Sequence, residues 1–413
     1  MNNIMQHTLI QKLAILSDAA KYDASCASSG TTKRNALENG GLGSTEGSGI
    51  CHSYAPDGRC ISLLKILMTN FCTYDCAFCI NRVSSNVARA RFTTAEVIKL
   101  TLEFYRRNYI EGLFLSSGII KSPDYTMEQM THIVKTLRLE HQFQGYIHLK
   151  TIPNASQDLV NEAGRFADRL SVNIELPTDI ALSKIAPEKD VVEIKKSMSA
   201  IGEQILASCE PTMISKRVEK FVPAGQSTQM IIGADLSSDA IILNRSASLY
   251  SGYKLKRVYY SAFSPIPDTS FNLPLVKPPM MREHRLYQAD WLMRFYGFNV
   301  DEITASGEGM LDLELDPKLS WALANRGAFP VDVNTAAYER MLRVPGFGIK
   351  TVRKIVSARR HTKLRYGDLV KLGANMKNAK TFIVTPDWHP GAAIDFSNLR
   401  QRFVPALRQL ELF

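Results

Sequence analysis

No apolar run in this 413-residue chain approaches the roughly 20 residues needed to cross a bilayer. Near the N-terminus, Leu9-Ile10 and Leu13-Ala14-Ile15-Leu16 are broken by Gln11 and Lys12. That pattern reads as an amphipathic helix over residues 1–22, not a secretory core, and the expectation is a cytoplasmic protein without membrane contact. Low-complexity composition is also lacking: 45% of residues are hydrophobic and 22% charged, which excludes a disordered or fibrous chain. Cysteine is too sparse, at seven residues, for a disulfide scaffold. No internal repeat is legible. Acidic charge is outweighed, with 40 acids against 50 bases and a formal charge of +10. An anionic partner fits this balance, although charge alone does not separate nucleic acid from a membrane surface.

What is present is organised along the chain. Residues 26–49 are rich in Ser, Gly, Asn and Thr, which is loop chemistry. From residue 61 onward, apolar runs alternate with helical patterns. Strands are expected at 62–68, 112–116, 146–150, 170–174, 229–233 and 258–261. Helices are expected between them, one capped by Thr93 with Glu96, the next by Thr126 with Gln129. Such alternation implies parallel pairing through right-handed crossovers. Six units with no legible seventh or eighth give an α/β fold, a partial (β/α)6 barrel of TIM type, over residues 61–280. Residues 1–60 form an N-terminal helix and cysteine-bearing loop, 281–328 a helical linker, 329–370 a small all-α segment, and 371–413 a tail.

Six of the seven cysteines fall into two groups, while Cys209 stands alone and reads as structural. Cys72, Cys76 and Cys79 stand in NFCTYDCAFCINR, a C-x3-C-x2-C spacing directly after the first barrel strand. Three thiolates on one loop can hold a metal. A structural zinc would want a fourth ligand, and none is adjacent. A [4Fe–4S] cluster on three cysteines keeps one iron open. Cys26, Cys51 and Cys60, with His52 nearby, lie in polar, turn-like surroundings. They are candidates for an auxiliary cluster or a zinc site, with unligated thiols as the alternative.

The first cysteine segment, with Phe78 before its last thiol, resembles the signature of the radical S-adenosylmethionine (SAM) superfamily. The resemblance implies a [4Fe–4S] cluster on Cys72, Cys76 and Cys79, with SAM on the open iron and an electron donor as partner. It implies a 5′-deoxyadenosyl radical that abstracts hydrogen from a substrate. Ser116-Ser117-Gly118, at the end of the second barrel strand, takes the place of the family's contact to the SAM amino group, without its usual carboxylate. Asn173 and Glu175 alternate with apolar neighbours, so that period two sets both on one face. They resemble the family's ribose ligands, and Gln229 and Gly233 its weaker adenine contacts.

A second segment carries a different chemistry. Residues 334–344 read as a helix capped by Asn334, followed by Pro345-Gly346-Phe347-Gly348-Ile349-Lys350 and a second helix over 351–360. This resembles a helix-hairpin-helix. Gly346 and Gly348 can admit a ligand to the backbone, and the second helix would aim its N-terminal dipole at a phosphate. Residues 331–365 hold nine bases, Lys350, Arg353 and Lys354 among them, against two acids. Together they favour the backbone of a nucleic acid. The whole arrangement resembles a radical SAM subfamily described as DNA modification or repair proteins. That family is often paired with a uracil-DNA-glycosylase-like protein. The rivals are a radical SAM enzyme of RNA or tRNA, and a non-enzymatic, zinc-stabilised DNA-binding protein.

Overall fold

The computed structural model describes residues 7–20, 50–54, 60–208, 221–266 and 273–404. The chain divides into two units. One is formed by residues 1–236 and 248–278, the other by 237–247 and 279–413.

The first unit is built on a seven-stranded sheet in sequential order. Strand β1 (Ile50–Tyr54) pairs antiparallel with β2 (Cys60–Leu67). From β2 onward the pairing is parallel, through β3 (Gly112–Ser116), β4 (Tyr146–Lys150), β5 (Arg169–Ser171), β6 (Gln226–Ile232) and β7 (Arg257–Ala262). These six parallel strands curl into a half barrel, the α/β fold expected from the alternation. Before them stands α1 (Leu9–Ala19). The crossovers carry α2 (Thr94–Arg106), α3 (Pro123–Leu139), α4 (Gln157–Phe166), α5 (Asp179–Ile185), α6 (Val191–Ala207) and α7 (Asp239–Tyr253).

Local chemistry explains most boundaries. Thr93 caps α2 with Glu96 reaching back, as the capping-box spacing predicts. At α3 the expectation fails. Ser122 is the cap and Pro123 opens the helix, a position where its missing N–H is harmless. Thr126 lies inside the first turn, its hydroxyl 2.9 Å from the Ser122 carbonyl. On the sheet, leucines and isoleucines of β2 and β3 are buried. A polar row crosses the same strands. The Lys65 ammonium lies 5.7 Å from the Phe114 centroid, and Phe114 meets His148 edge-on at 4.4 Å. His148 Nε2 lies 2.5 Å from Ser171 Oγ, and Ser171 lies 2.7 Å from Ser227 Oγ. Burial, with the Arg169 guanidinium nearby, holds the His148 imidazole well below the usual histidine range, so it is neutral.

The second unit contains α8 (Met280–Tyr296), α9 (Val300–Thr304), α10 (Pro317–Ala324), α11 (Tyr338–Leu342), α12 (Ile349–Ala358), α13 (Tyr366–Lys371) and α14 (Met376–Ala379). Strand β8 (Val331–Asp332) pairs parallel with β9 (Ile383–Val384). The expected boundary at residue 370 falls inside α13, and β9 ties the expected tail back onto the helical segment. Buried ion pairing holds the entry to this unit. The fully buried Asp239 accepts from Arg282 Nε at 2.7 Å and from the Leu311 amide at 2.9 Å.

Candidate functional site

The cysteine loop leaves the C-terminal end of β2, the end where barrel proteins place their chemistry. Three neighbours hold it. The turn after β3 is one: Gly118 N–H donates to Thr69 O at 2.8 Å, and Thr73 N–H to Ile119 O at 2.9 Å. A Cβ on Gly118 would lie 2.2 Å from the Phe71 carbonyl, so only glycine lets this turn close on the loop. The segment after α5 is the second, with Ala77 N–H bonded to Ile185 O at 2.8 Å and Asp75 N–H to Glu188 Oε1 at 2.9 Å. Arg89 is the third. Its guanidinium donates to the carbonyls of Asn70, Asn81, Arg82 and Ser85, stapling both ends of the loop.

Cys72, Cys76 and Cys79 are free thiols. Burial pushes Cys76 up to about 12 and also raises Cys79, with Lys189 opposing both. Such thiols ionise when a metal displaces the proton. Among the described residues no three His, Cys, Asp or Glu side chains meet as ligands of a single metal ion. Thiols spread around one loop suit a multi-iron cluster, in which each sulfur meets its own iron, better than a lone zinc.

Beside the thiols lies an ion pair that pattern reasoning missed. Lys189 Nζ stands 2.5 Å from Glu175 Oε1, with both side chains nearly removed from water. The same ammonium is 5.6 Å from the Phe78 ring centroid. Burial alone would lower the Lys189 pKa, but Glu175 and the Cys76 thiol reverse this and raise it. Glu175 in turn joins Asn173 and Gln229. Asn173 Nδ2 lies 3.2 Å from Gln229 Oε1 and 3.5 Å from Glu175 Oε2. All three are buried, so Gln229 is no solvated edge residue.

Asn173 and Glu175 do converge, but not through strict alternation. Val172 N–H bonds Ser227 O and Glu175 N–H bonds Gln229 O, three residues on one strand against two on the other. This is a bulge, with Glu175 at φ +64°, and strict alternation does not hold through it. Ser116 Oγ is buried and has no hydrogen-bond partner, an orphan in the place expected to meet SAM. Ser117 Oγ is 2.7 Å from the Gly118 carbonyl. Gly233 turns the chain after β6 at φ +79°, where its missing Cβ makes room for Pro278.

Of the other cysteines, Cys60 does not join this site. Cys26 lies outside the described residues. Cys51 is on β1, and Cys60 is an exposed thiol at the far end of β2, about 23 Å from the strand's other end at ordinary rise.

With this geometry in view, the sequence model of the radical SAM superfamily matches residues 66–233. Residues 66–233 are a radical SAM domain. The span runs from the end of β2 through Gly233 and contains Cys72, Cys76, Cys79, Ser116, Asn173, Glu175, Lys189 and Gln229. Radical SAM domains use a [4Fe–4S] cluster, SAM and an electron donor. Bound here, the cluster and SAM would supply a 5′-deoxyadenosyl radical for hydrogen abstraction. The protein's own part is to hold the loop and order the polar triad.

Among solved structures, HydG, a maturase of the [FeFe]-hydrogenase, aligns at 12% identity with a TM-score of 0.41, over 55% of this chain and 48% of its own. Methylornithine synthase (PylB) aligns at 15% identity and 0.41, over 55% and 61%. HydG from Carboxydothermus hydrogenoformans aligns at 12% identity and 0.42, over 55% and 50%. The chain thus spans about half to three-fifths of the length of these proteins. No curated protein matches it.

In the second unit, the turn Val344–Gly348 joins α11 to α12. Asn334 is not a helix cap. It clamps Leu364 instead, accepting its N–H at 2.8 Å and donating to its carbonyl at 3.1 Å, while α11 begins only at Tyr338. Gly346 has φ +83°, and its missing Cβ makes room for the Asn375 carbonyl, 2.4 Å from where that carbon would lie. The space is used by protein, not left for a ligand. Gly348 is open.

Of the nine bases, three are spent on scaffolding. Arg340 donates to Ala328 O. Arg343 pairs with Glu302 at 2.8 Å and lies over Phe298 and Trp321. Arg359 donates to Val333 O and Ala336 O. The other six, Lys350, Arg353, Lys354, Arg360, Lys363 and Arg365, are exposed.

A second turn, unread from sequence, follows α13. Leu369…Gly373 repeats the spacing of Leu342…Gly346, and Gly373 has φ +90°. The two turns bond reciprocally: Asn375 N–H to Gly346 O at 3.1 Å, and Thr351 Oγ1 to Gly373 O at 3.2 Å. Only the first carries the Pro-Gly-x-Gly signature, which is why the second escaped notice.

Proposed function

We propose that this radical SAM enzyme acts on DNA, modifying or repairing it, with the second unit binding the phosphate backbone. The observation that carries this is the run from Lys350 to Gly367. It contains six exposed bases and no acid, and begins at the N-terminus of α12, where an open Gly348 precedes free helix N–H groups. Phosphate attraction of this kind is sequence-independent and strong enough to hold a polyanion.

Within the barrel, Cys72, Cys76 and Cys79 hold the cluster. Ser116, with its orphan hydroxyl, meets SAM together with Ser117 and Gly118. Asn173 and Glu175 take the ribose, and Gln229 and Gly233 the adenine side. Cys26, Cys51 and Cys60 remain candidates for a second metal site, tested by iron and zinc content of their triple alanine variant. A uracil-DNA-glycosylase-like partner belongs to the same proposal, as does a cytoplasmic location. Among the described residues no helix is long and apolar enough to cross a membrane.

The test is affinity against salt for duplex DNA, single-stranded DNA and tRNA, using the full chain. On duplex DNA the slope of log affinity against log salt should be about −0.9 per phosphate neutralised. A preference for folded tRNA would move the substrate to RNA. Absence of binding to all three at low salt would remove the nucleic-acid function.

A further inference from the structure

Helix α8 carries an exposed aromatic pair that packing does not explain. Trp291 and Phe295, one helical turn apart, are 47% and 41% exposed. Their ring centroids are 4.3 Å apart with planes inclined at 50°. The Arg294 guanidinium lies 4.9 Å from the Phe295 centroid.

The position of this pair matters as much as its exposure. Tyr296, the next residue, packs beside the first basic turn. Its hydroxyl stands 3.8 Å from where a Cβ on Gly348 would be, and its ring centroid 4.8 Å from Lys318 Nζ. Lys318 in turn donates to the Phe347 carbonyl at 2.6 Å, and Arg343 donates to the Gly297 carbonyl at 3.2 Å. The end of α8 that bears Phe295 is therefore anchored against the turn from which Lys350, Arg353 and Lys354 project.

We propose that Trp291 and Phe295 form a stacking platform for an unpaired nucleobase of a strand whose phosphates lie on the α12 bases. The proposal rests on the nucleic-acid function above and narrows its substrate. Bases inside a duplex are stacked on one another, so only an unpaired or extruded base offers a free face to the ring. Base-on-aromatic stacking is tolerant of sequence. Enzymes that do chemistry on a base take it out of the stack, and a platform beside a phosphate clamp would hold it there. An apolar peptide is the less suited occupant, because the exposed Lys350, Arg353 and Lys354 beyond the neighbouring turn call for an anion.

The test uses the full-length protein and four labelled probes: a single strand, the same strand built from abasic spacers, a duplex, and a duplex with one unpaired nucleotide. The single strand should bind about tenfold more tightly than its abasic counterpart. Trp291→Ala and Phe295→Ala should each erase most of that difference, and of the gain from the unpaired nucleotide. Both should leave affinity for the plain duplex and the abasic strand unchanged. Trp291→Phe, which keeps a ring, should retain most of the difference and guards against misfolding. Equal affinity for normal and abasic strands, or a difference that survives in the double alanine variant, would overturn the platform while duplex binding keeps the nucleic-acid function. Failure of the wild type to bind any probe would overturn both.

Discussion

The loop at Cys72–Cys79 and the turn at Val344–Gly348 invite comparison, because each sets a glycine against another stretch of backbone. In both, the missing Cβ serves protein: Gly118 admits the Phe71 carbonyl, and Gly346 the Asn375 carbonyl. They differ in how their chemistry is carried. The cysteine loop concentrates it in three thiols whose spacing is covalent, and surrounds them with long-range props. The basic turn spreads it over many charges, some of which are props themselves. A spacing motif thus survives folding intact, whereas a count of charges does not, since folding diverts Arg340, Arg343 and Arg359 to carbonyls and carboxylates.

The largest effect expected from this difference is at the thiols. Cys76→Ala should strip the iron and sulfide from anaerobically reconstituted protein while leaving nucleic-acid affinity unchanged. Retained iron would break the assignment of the loop. Next come the glycines. Gly118→Val and Gly346→Val place carbon within 2.2 and 2.4 Å of a carbonyl oxygen, and Gly346 also needs its positive φ. Each should destabilise its unit by about 3 kcal/mol or more. Gly348→Ala meets only the Tyr296 hydroxyl, at an ordinary contact of 3.8 Å, and at a helix N-cap should cost about 1 kcal/mol or less. Denaturant unfolding followed by circular dichroism measures all three.

Lys189→Met should be comparably severe, at about 3–5 kcal/mol, because it strands the Glu175 carboxylate in the interior. Adding Glu175→Met should restore much of the stability but not SAM affinity, as calorimetry would show.

A smaller, pH-dependent effect belongs to the second unit. Burial lowers Lys318 to about 7 in the folded protein, against an ordinary value of 10.5. Between those values the unfolded chain holds a proton that the folded chain lacks, so this group makes stability rise with pH from about 7 to 10.5. Lys318→Met should remove that rise relative to wild type. The smallest effect separates the two kinds of base. Lys350→Ala and Arg353→Ala should shrink the salt slope by about one unit each without touching stability, while Arg343→Ala and Arg359→Ala should lower stability.

These contrasts also explain what was legible in advance. β3 and β4 were readable to the residue, because each is a short apolar run closed by polar or turn chemistry. The three thiols were readable because they are neighbours on one loop. Lys189 was not: its partner Glu175 is remote along the chain, and Cys76 is more remote still. Asn173 and Glu175 were paired through an alternation that the bulge in fact breaks. Ser122 was passed over for Thr126 because the capping-box spacing outweighed the Ser-Pro start, and the Gly373 turn was missed because it lacks a second glycine and a proline.

The most direct test of the central claim is 5′-deoxyadenosine formation by reconstituted protein with SAM and reductant, with and without DNA, beside Cys76→Ala. Wild type should form it slowly alone and faster with DNA, and the variant should form none. Formation by the variant at the wild-type rate would contradict the radical SAM site. A wild-type rate that DNA leaves unchanged, in protein shown to bind it, would contradict DNA as the substrate.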